Sequence, residues 1–179
     1  MSVLSKAIIV PVFMLVTAMP AWAQSGSSAA ANAATGASNA HTAQDVRFVM
    51  AASAGGQTEV LASRLAATQA QSAQVKSFAT TMITDHGKAN AELKAIAQKD
   101  GYTLSATPTR EQEADLAKLR TLHGKDFDTA YAAMMVKDHR DAVALFQSES
   151  NSGNDSDLKQ FATQTLPTLQ HHLSLATSL

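Results

Sequence analysis

This sequence predicts an all-α protein in which four long helices bundle around one core and a single long crossover joins the two halves. Three observations carry that expectation. From about residue 42 every apolar pattern repeats with the period of a helix, and none alternates as a strand would. Breaks near Ser72, at Gly101, at Gly124 and at Asn151-Ser152-Gly153-Asn154 cut the pattern into four long segments and a short one. The widest interval between long segments, roughly 24 residues, separates the second from the third and holds the short helix.

The N-terminus comes first. Residues 1–23 read as a secretory leader: Lys6 supplies a positive start, Ala7 to Met19 an apolar run, and Ala21-Trp22-Ala23 a small-residue cleavage site. The apolar run is short for a bilayer span. Cleavage after Ala23 and a periplasmic location follow as expectations, with outer-membrane association as an extension of them. Between Gln24 and His41 the residues are all Ala, Ser, Gly, Asn or Thr with no large apolar side chain, so a disordered tether is expected over residues 24–41. The bundle domain is then expected over residues 42–179.

Thr42-Ala43-Gln44-Asp45 resembles a capping box and opens the first helix. That helix should run to about Gln71 with Phe48, Ala52, Gly55, Glu59, Ala62 and Ala66 along one stripe. Gly55-Gly56 inside it costs about 1 kcal/mol per residue against Ala, so a close approach or a bend is expected. The second helix starts near Ser72 and stops at Asp100-Gly101. Its stripe (Val75, Ala79, Met82, His86, Ala89, Leu93, Ile96) alternates steps of four and three, the spacing of a coiled-coil seam. Pro108 restarts the chain for a short helix from about Thr109 to His123, ended by Gly124. The third long helix begins near Asp126 and carries Tyr131 or Ala132, then Met135, His139, Ala142 and Phe146 inward. The fourth follows from about Asp155, with Leu158, Phe161, Thr165, Leu169, His172 and Ala176 facing in and a kink expected at Pro167. Ferritin-like folds have this wiring; a plain up-down-up-down bundle would join the second and third long helices tightly.

Composition excludes several classes. The chain has no cysteine, which removes disulfides, a lipidated N-terminal Cys and thiolate chemistry. Subtracting Lys6 with the leader from the 14 basic residues leaves 13 against 15 acidic ones, a net charge near −2. With no basic cluster there is no footprint for nucleic acid. The roughly 155 residues after the leader suit one domain.

The functional signal is an internal repeat. Phe78-Ala79-Thr80-Thr81-Met82-Ile83-Thr84-Asp85-His86 and Tyr131-Ala132-Ala133-Met134-Met135-Val136-Lys137-Asp138-His139 share the form aromatic-Ala-x-x-Met-aliphatic-x-Asp-His. Each places a histidine on an apolar stripe, where a polar ring needs a partner. Glu59 and His172 stand on the stripes of the other two helices. Glu59 and His86 lie equally far from the reversal near residue 72, so antiparallel packing sets them at one level. His139 lies 14 residues before Gly153 and His172 lies 19 after it, a looser match that turn residues partly absorb.

One Glu and three His in a bundle interior form a plausible ligand set for Zn, Cu, Fe or Ni. The competing reading is a buried Glu-His hydrogen-bond network that serves packing. Asp85 and Asp138, each beside its histidine, are candidates to orient an imidazole from behind; for Asp85 the alternative is an exposed pair with Lys88, worth little. Met82, Met134 and Met135 could favour Cu(I), or simply fill the core. His171 flanks the seam, while His41 and His123 receive no role.

These residues also resemble a known family. Gly55-Gly56-x-x-Glu59-Val60, Phe78-Ala79-x-x-Met82-Ile83-x-Asp85-His86, Met135-Val136-x-Asp138-His139 and Leu166-Pro167-x-Leu169-x-x-His172-Leu173 are similar in order and spacing to the exported bacterial family catalogued as domain of unknown function 4142. The resemblance spans about residues 44–178. It implies a ferritin-like bundle and an exported protein, often labelled an outer-membrane protein, and it implies no particular activity. Di-iron bundle proteins carry Glu-x-x-His on two helices, whereas here Ile83, Val136 and Leu169 stand three residues before the histidines. A di-iron centre is therefore not expected. Two functions remain: a metal-binding bundle for storage, buffering or stress response, and a metal-free envelope module that binds a protein partner or the outer-membrane surface. An enzyme comes third, because no nucleophile with its base, phosphate loop or acid-base pair is recognisable.

Overall fold

Four long helices and one short one make up the computed structural model of the protein, which describes residues 41–179. They are α1 (Ala43–Gln69), α2 (Ala73–Asp100), α3 (Arg110–Arg120), α4 (Gly124–Ser152) and α5 (Ser156–Thr177). The leader and all of the tether except His41 lie outside the described residues. Among the described residues no helix is long and apolar enough to cross a membrane.

Local chemistry sets the ends. Thr42 and Asp45 form a reciprocal capping box on α1, and Thr109 with Gln112 does the same for α3. Ser72 caps α2 through Val75 N–H, and Asp155 caps α5 through the N–H groups of Asp157 and Leu158. Gly101 ends α2 at φ 81°, a left-handed conformation that a Cβ would strain. Gly124, expected to end the short helix, instead opens α4 at φ 60°, and α3 stops earlier at Arg120. α5 continues through Pro167 to Thr177.

α1 pairs with α2 and α4 with α5; α1 also packs on α4, and α2 on α5. Contacts at the two ends give the directions. Where α1 finishes, α2 and α4 both begin: Asp128 accepts from the N–H groups of Gln71 and Ser72 at 3.0 and 2.8 Å. At the other end α1 and α5 begin together, for Asp45 Oδ1 accepts from Asn154 N–H at 2.9 Å. The order is therefore up, down, down, up. α2 and α4 run the same way but sit across the diagonal, so every adjacent pair is antiparallel. The crossover climbs the outside of the bundle, with α3 laid against α1 and α4.

The interior is not one continuous apolar mass. Nearer the α1–α2 turn, Ala62, Phe78, Met82, Tyr131 and Met135 pack with α3's Leu116 and Leu119. Toward the opposite end, Phe48, Leu93, Phe146, Phe161 and Leu169 form a second cluster. Between these halves each long helix contributes one polar residue: Glu59, His86, His139 and His172, all buried.

His41 corrects the tether boundary. Its ring stacks on Tyr102 at 3.8 Å between centroids, and its Nε2 lies 2.7 Å from the Asp100 carbonyl. The last residue assigned to the tether is thus docked on the bundle.

Candidate metal centre

Each histidine in the polar layer is held from one side. His86 Nδ1 lies 2.9 Å from Glu59 Oε2. His139 Nδ1 lies 2.8 Å from the Met135 carbonyl, one turn back on its own helix, and 3.4 Å from Glu59 Oε1. His172 Nε2 lies 3.1 Å from Asp85 Oδ2 across the α2–α5 contact. A carbonyl and an ionised carboxylate only accept hydrogen bonds, so the ring nitrogens facing them carry the protons. In a neutral imidazole the opposite nitrogen then bears the lone pair.

Those opposite nitrogens are His86 Nε2, His139 Nε2 and His172 Nδ1, and all three are buried without a hydrogen-bond partner. One nitrogen from each ring lies within 4.8 Å of the other two. The three ring centroids are mutually 5.5 Å apart. Among the described residues no other set of potential ligands comes together in this way.

The charges are unequal. Burial pushes the His86 ring downward, but the Glu59 carboxylate outweighs it and holds His86 above the ordinary 6.5. Glu59 responds in kind: burial raises it, the His86 charge and hydrogen bond lower it further, and the net is below 4.5. His139 is held below 6.5 by burial, and His172 is pushed down to about 4 by burial and the nearby His86 charge. The layer thus favours a charged Glu59–His86 pair beside two rings that favour the neutral form.

The sequence expectations therefore fall into place as follows. Glu59, His86, His139 and His172 do share one level. Glu59 stands behind His86 and is outside the close set of ring nitrogens. Asp85 takes the orienting position behind His172 instead of pairing with Lys88. Asp138 makes no hydrogen bond or ion pair to a histidine; it lines a cavity of about 380 Å³ between all five helices that also reaches Glu59 and His86. Its carboxyl is raised to about 7 by burial and by Glu59. His171 is exposed, and Met82, Met134 and Met135 pack in the apolar half nearer the α1–α2 turn.

Sequence reading missed a second buried polar group. Asp45, Glu149 and Asp155 are all buried where α1, α4 and α5 meet. Asp45 stays ionised: burial raises it, but the Thr42 hydroxyl and the Asn154 N–H outweigh that. Burial and the neighbouring Asp45 push Glu149 up to about 7. Gln44 donates to Glu149 Oε2 at 3.4 Å, and Tyr102 donates to Asp155 at 3.2 Å. The available signal was Glu149 falling on the inner side of α4, one turn beyond Phe146.

A family profile described as Domain of unknown function (DUF4142) matches residues 29–179. Two crystal structures share the fold. A DUF305 fragment from Deinococcus radiodurans superposes with a TM-score of 0.68 at 18% identity, covering 77% of this chain and 95% of that one. A DUF305 protein from Streptomyces coelicolor, named as a candidate secreted protein, gives 0.64 at 17% identity over 75% of this chain and 90% of that one. No curated protein matches.

Proposed function

The chain belongs to the DUF4142 family, a domain of unknown function, and we propose that it is an exported helical-bundle protein that stores or buffers a transition-metal ion on His86, His139 and His172. One observation carries the reading. Three buried ring nitrogens, His86 Nε2, His139 Nε2 and His172 Nδ1, have no hydrogen-bond partner, and they belong to three rings that gather in one layer, each held by an acceptor at its other nitrogen. His139 and His172, which burial keeps toward the neutral form, offer lone pairs to a cation, and the cation would displace the proton that Glu59 favours on His86. Imidazole donors suit Zn, Cu, Fe or Ni.

Three nitrogens at 2.0–2.1 Å from one tetrahedral ion stand about 3.4 Å apart, so ring nitrogens within 4.8 Å of one another would have to close by up to about 1.4 Å. Glu59 and Asp85 would orient the rings and balance charge. Neither is placed to supply the several bridging carboxylates of a di-iron site. Export rests on the leader-like residues 1–23, and the secreted description of the Streptomyces coelicolor protein agrees with it. The reading is one of binding, without turnover.

The test is metal content and metal-dependent stability of tag-free protein. Zn, Cu, Ni or Fe should raise the melting temperature, and a chelator should reverse the rise. His86→Ala and His139→Ala should abolish stoichiometric binding, while His123→Ala should not. Because Glu59 holds His86 above 6.5, affinity should start to weaken at a higher pH than an ordinary imidazole would require. Absence of any metal-dependent shift at neutral pH would leave a metal-free Glu-His packing network, and with it the envelope-module reading.

A further inference from the structure

The cavity of about 380 Å³ beside the polar layer has a floor and a rim of opposite character. Its floor is apolar: Leu93, Phe146, Phe161 and Leu169 line it, with α1 contributing the bare backbone of Gly55. Its rim is acidic. Glu111 and Asp141 share Lys137, whose Nζ lies 3.4 and 3.3 Å from them. Two further carboxylates at the rim, Asp115 and Asp138, have no ion pair among the described residues. Asp138 is partly buried, and its Oδ2 is enclosed with no hydrogen-bond partner. Deeper in, the Glu59 charge is already matched by His86.

We propose that this cavity binds a small organic cation, an ammonium group carried on an apolar body. The ammonium meets the uncompensated carboxylates of Asp115 and Asp138, and the body lies on the aromatic and aliphatic floor. The volume is that of ordinary small-ligand clefts, about 300–1,000 Å³. An anion would face four carboxylates against one lysine that is already shared. A neutral apolar molecule would fill the floor but leave Asp115 and Asp138 as they are. A protonated amine satisfies both surfaces, with the rings of Phe146 and Phe161 adding cation–π attraction if the head tilts inward. The cavity shares Glu59 and His86 with the metal layer, but neither His139 nor His172 lines it.

The experiment is calorimetric titration of the purified, tag-free protein at pH 7.5 with three probes of one length: hexylamine, hexan-1-ol and hexanoate. Hexylamine should bind saturably with one site per chain, at least tenfold more tightly than either of the others. Asp115→Asn and Asp138→Asn should each weaken the amine tenfold or more while leaving the weak alcohol binding unchanged. A Cβ at Gly55 meets nothing within 4 Å, so Gly55→Leu should fill the cavity and abolish amine binding without lowering the melting temperature. Alcohol binding as tight as the amine, preference for hexanoate, no saturable amine binding, or amine binding unaffected by Asp115→Asn and Asp138→Asn would each overturn the proposal. Because the titration needs no metal, loss of the metal reading would leave its outcome unaltered.

Discussion

At the scale of single residues, Glu59 does the most. It is the one acid among the layer's four residues, and its carboxylate favours the protonated form of His86 by outweighing the burial of the ring. Removing one member of a buried ion pair costs about 3–5 kcal/mol when the survivor stays charged. His86, however, can shed its proton. Its raised pKa means that the pair's contribution is complete below 6.5 and fades as pH climbs through the folded value. Glu59→Leu should therefore cost about 3 kcal/mol at pH 6 and clearly less at pH 8.5, as read by denaturant unfolding. An equal cost at both pH values would mean that His86 does not change its charge between them in the folded protein. The histidines themselves were legible, since two copies of an Asp-His motif on apolar stripes put them in plain view. The partner of Asp85 was not, because it depends on how α5 rotates against α2.

At the scale of an element, α1 shows why adjacent glycines need separate accounts. Gly56 packs against the Asn90 amide of α2 so closely that a Cβ would displace it, whereas a Cβ at Gly55 enters open space. Glycine inside a helix costs roughly 1 kcal/mol against alanine. Gly55→Ala should consequently stabilise the protein by about 0.5–1 kcal/mol, and Gly56→Ala should gain less or lose, because Asn90 has to move. Denaturant midpoints of the two variants at unchanged slope would check this, and equal gains would count against the asymmetry. Sequence reading expected either a close approach or a bend at this pair and did not say which glycine was responsible. It placed the four long helices within a few residues of their ends. It misassigned Gly124 because a glycine near a helix end serves equally as a stop signal or as a left-handed entry. Only the path of α3 along α1 and α4 decides between them.

For the molecule as a whole, the joint of α1, α4 and α5 should govern how stability responds to pH. Burial and Asp45 raise Glu149 from 4.5 to about 7. A carboxyl raised by folding contributes most below its unfolded pKa and loses that contribution as pH rises through the folded one. Between roughly pH 4.5 and 7 the wild type should therefore lose stability through this group. Glu149→Gln keeps a neutral donor in the same place and removes the ionisation. The difference in melting temperature, variant minus wild type, should rise across that window and level off above it. A flat difference would show that Glu149 is ionised at no cost. Taking the difference isolates Glu149 from the histidines, which titrate in both proteins. This joint was hidden in the sequence because Asp45 already had a complete local explanation in its capping box, so nothing called for a distant partner.

The polar layer between the two apolar halves also acts as a vernier. Each helix carries one graduation, and only one alignment of the four brings every mark together. Sliding a helix by one turn, about 5.4 Å, would strand Glu59 among Phe48 and Phe161 or bring a histidine against Tyr131. A buried charge or unpaired ring costs several kcal/mol in such surroundings, while the leucines and alanines either side would pack nearly as well after the shift. Those apolar contacts hold the helices together without choosing among their offsets. The four marks make the choice, and they would do so in the first compact state that formed, before any ligand arrived.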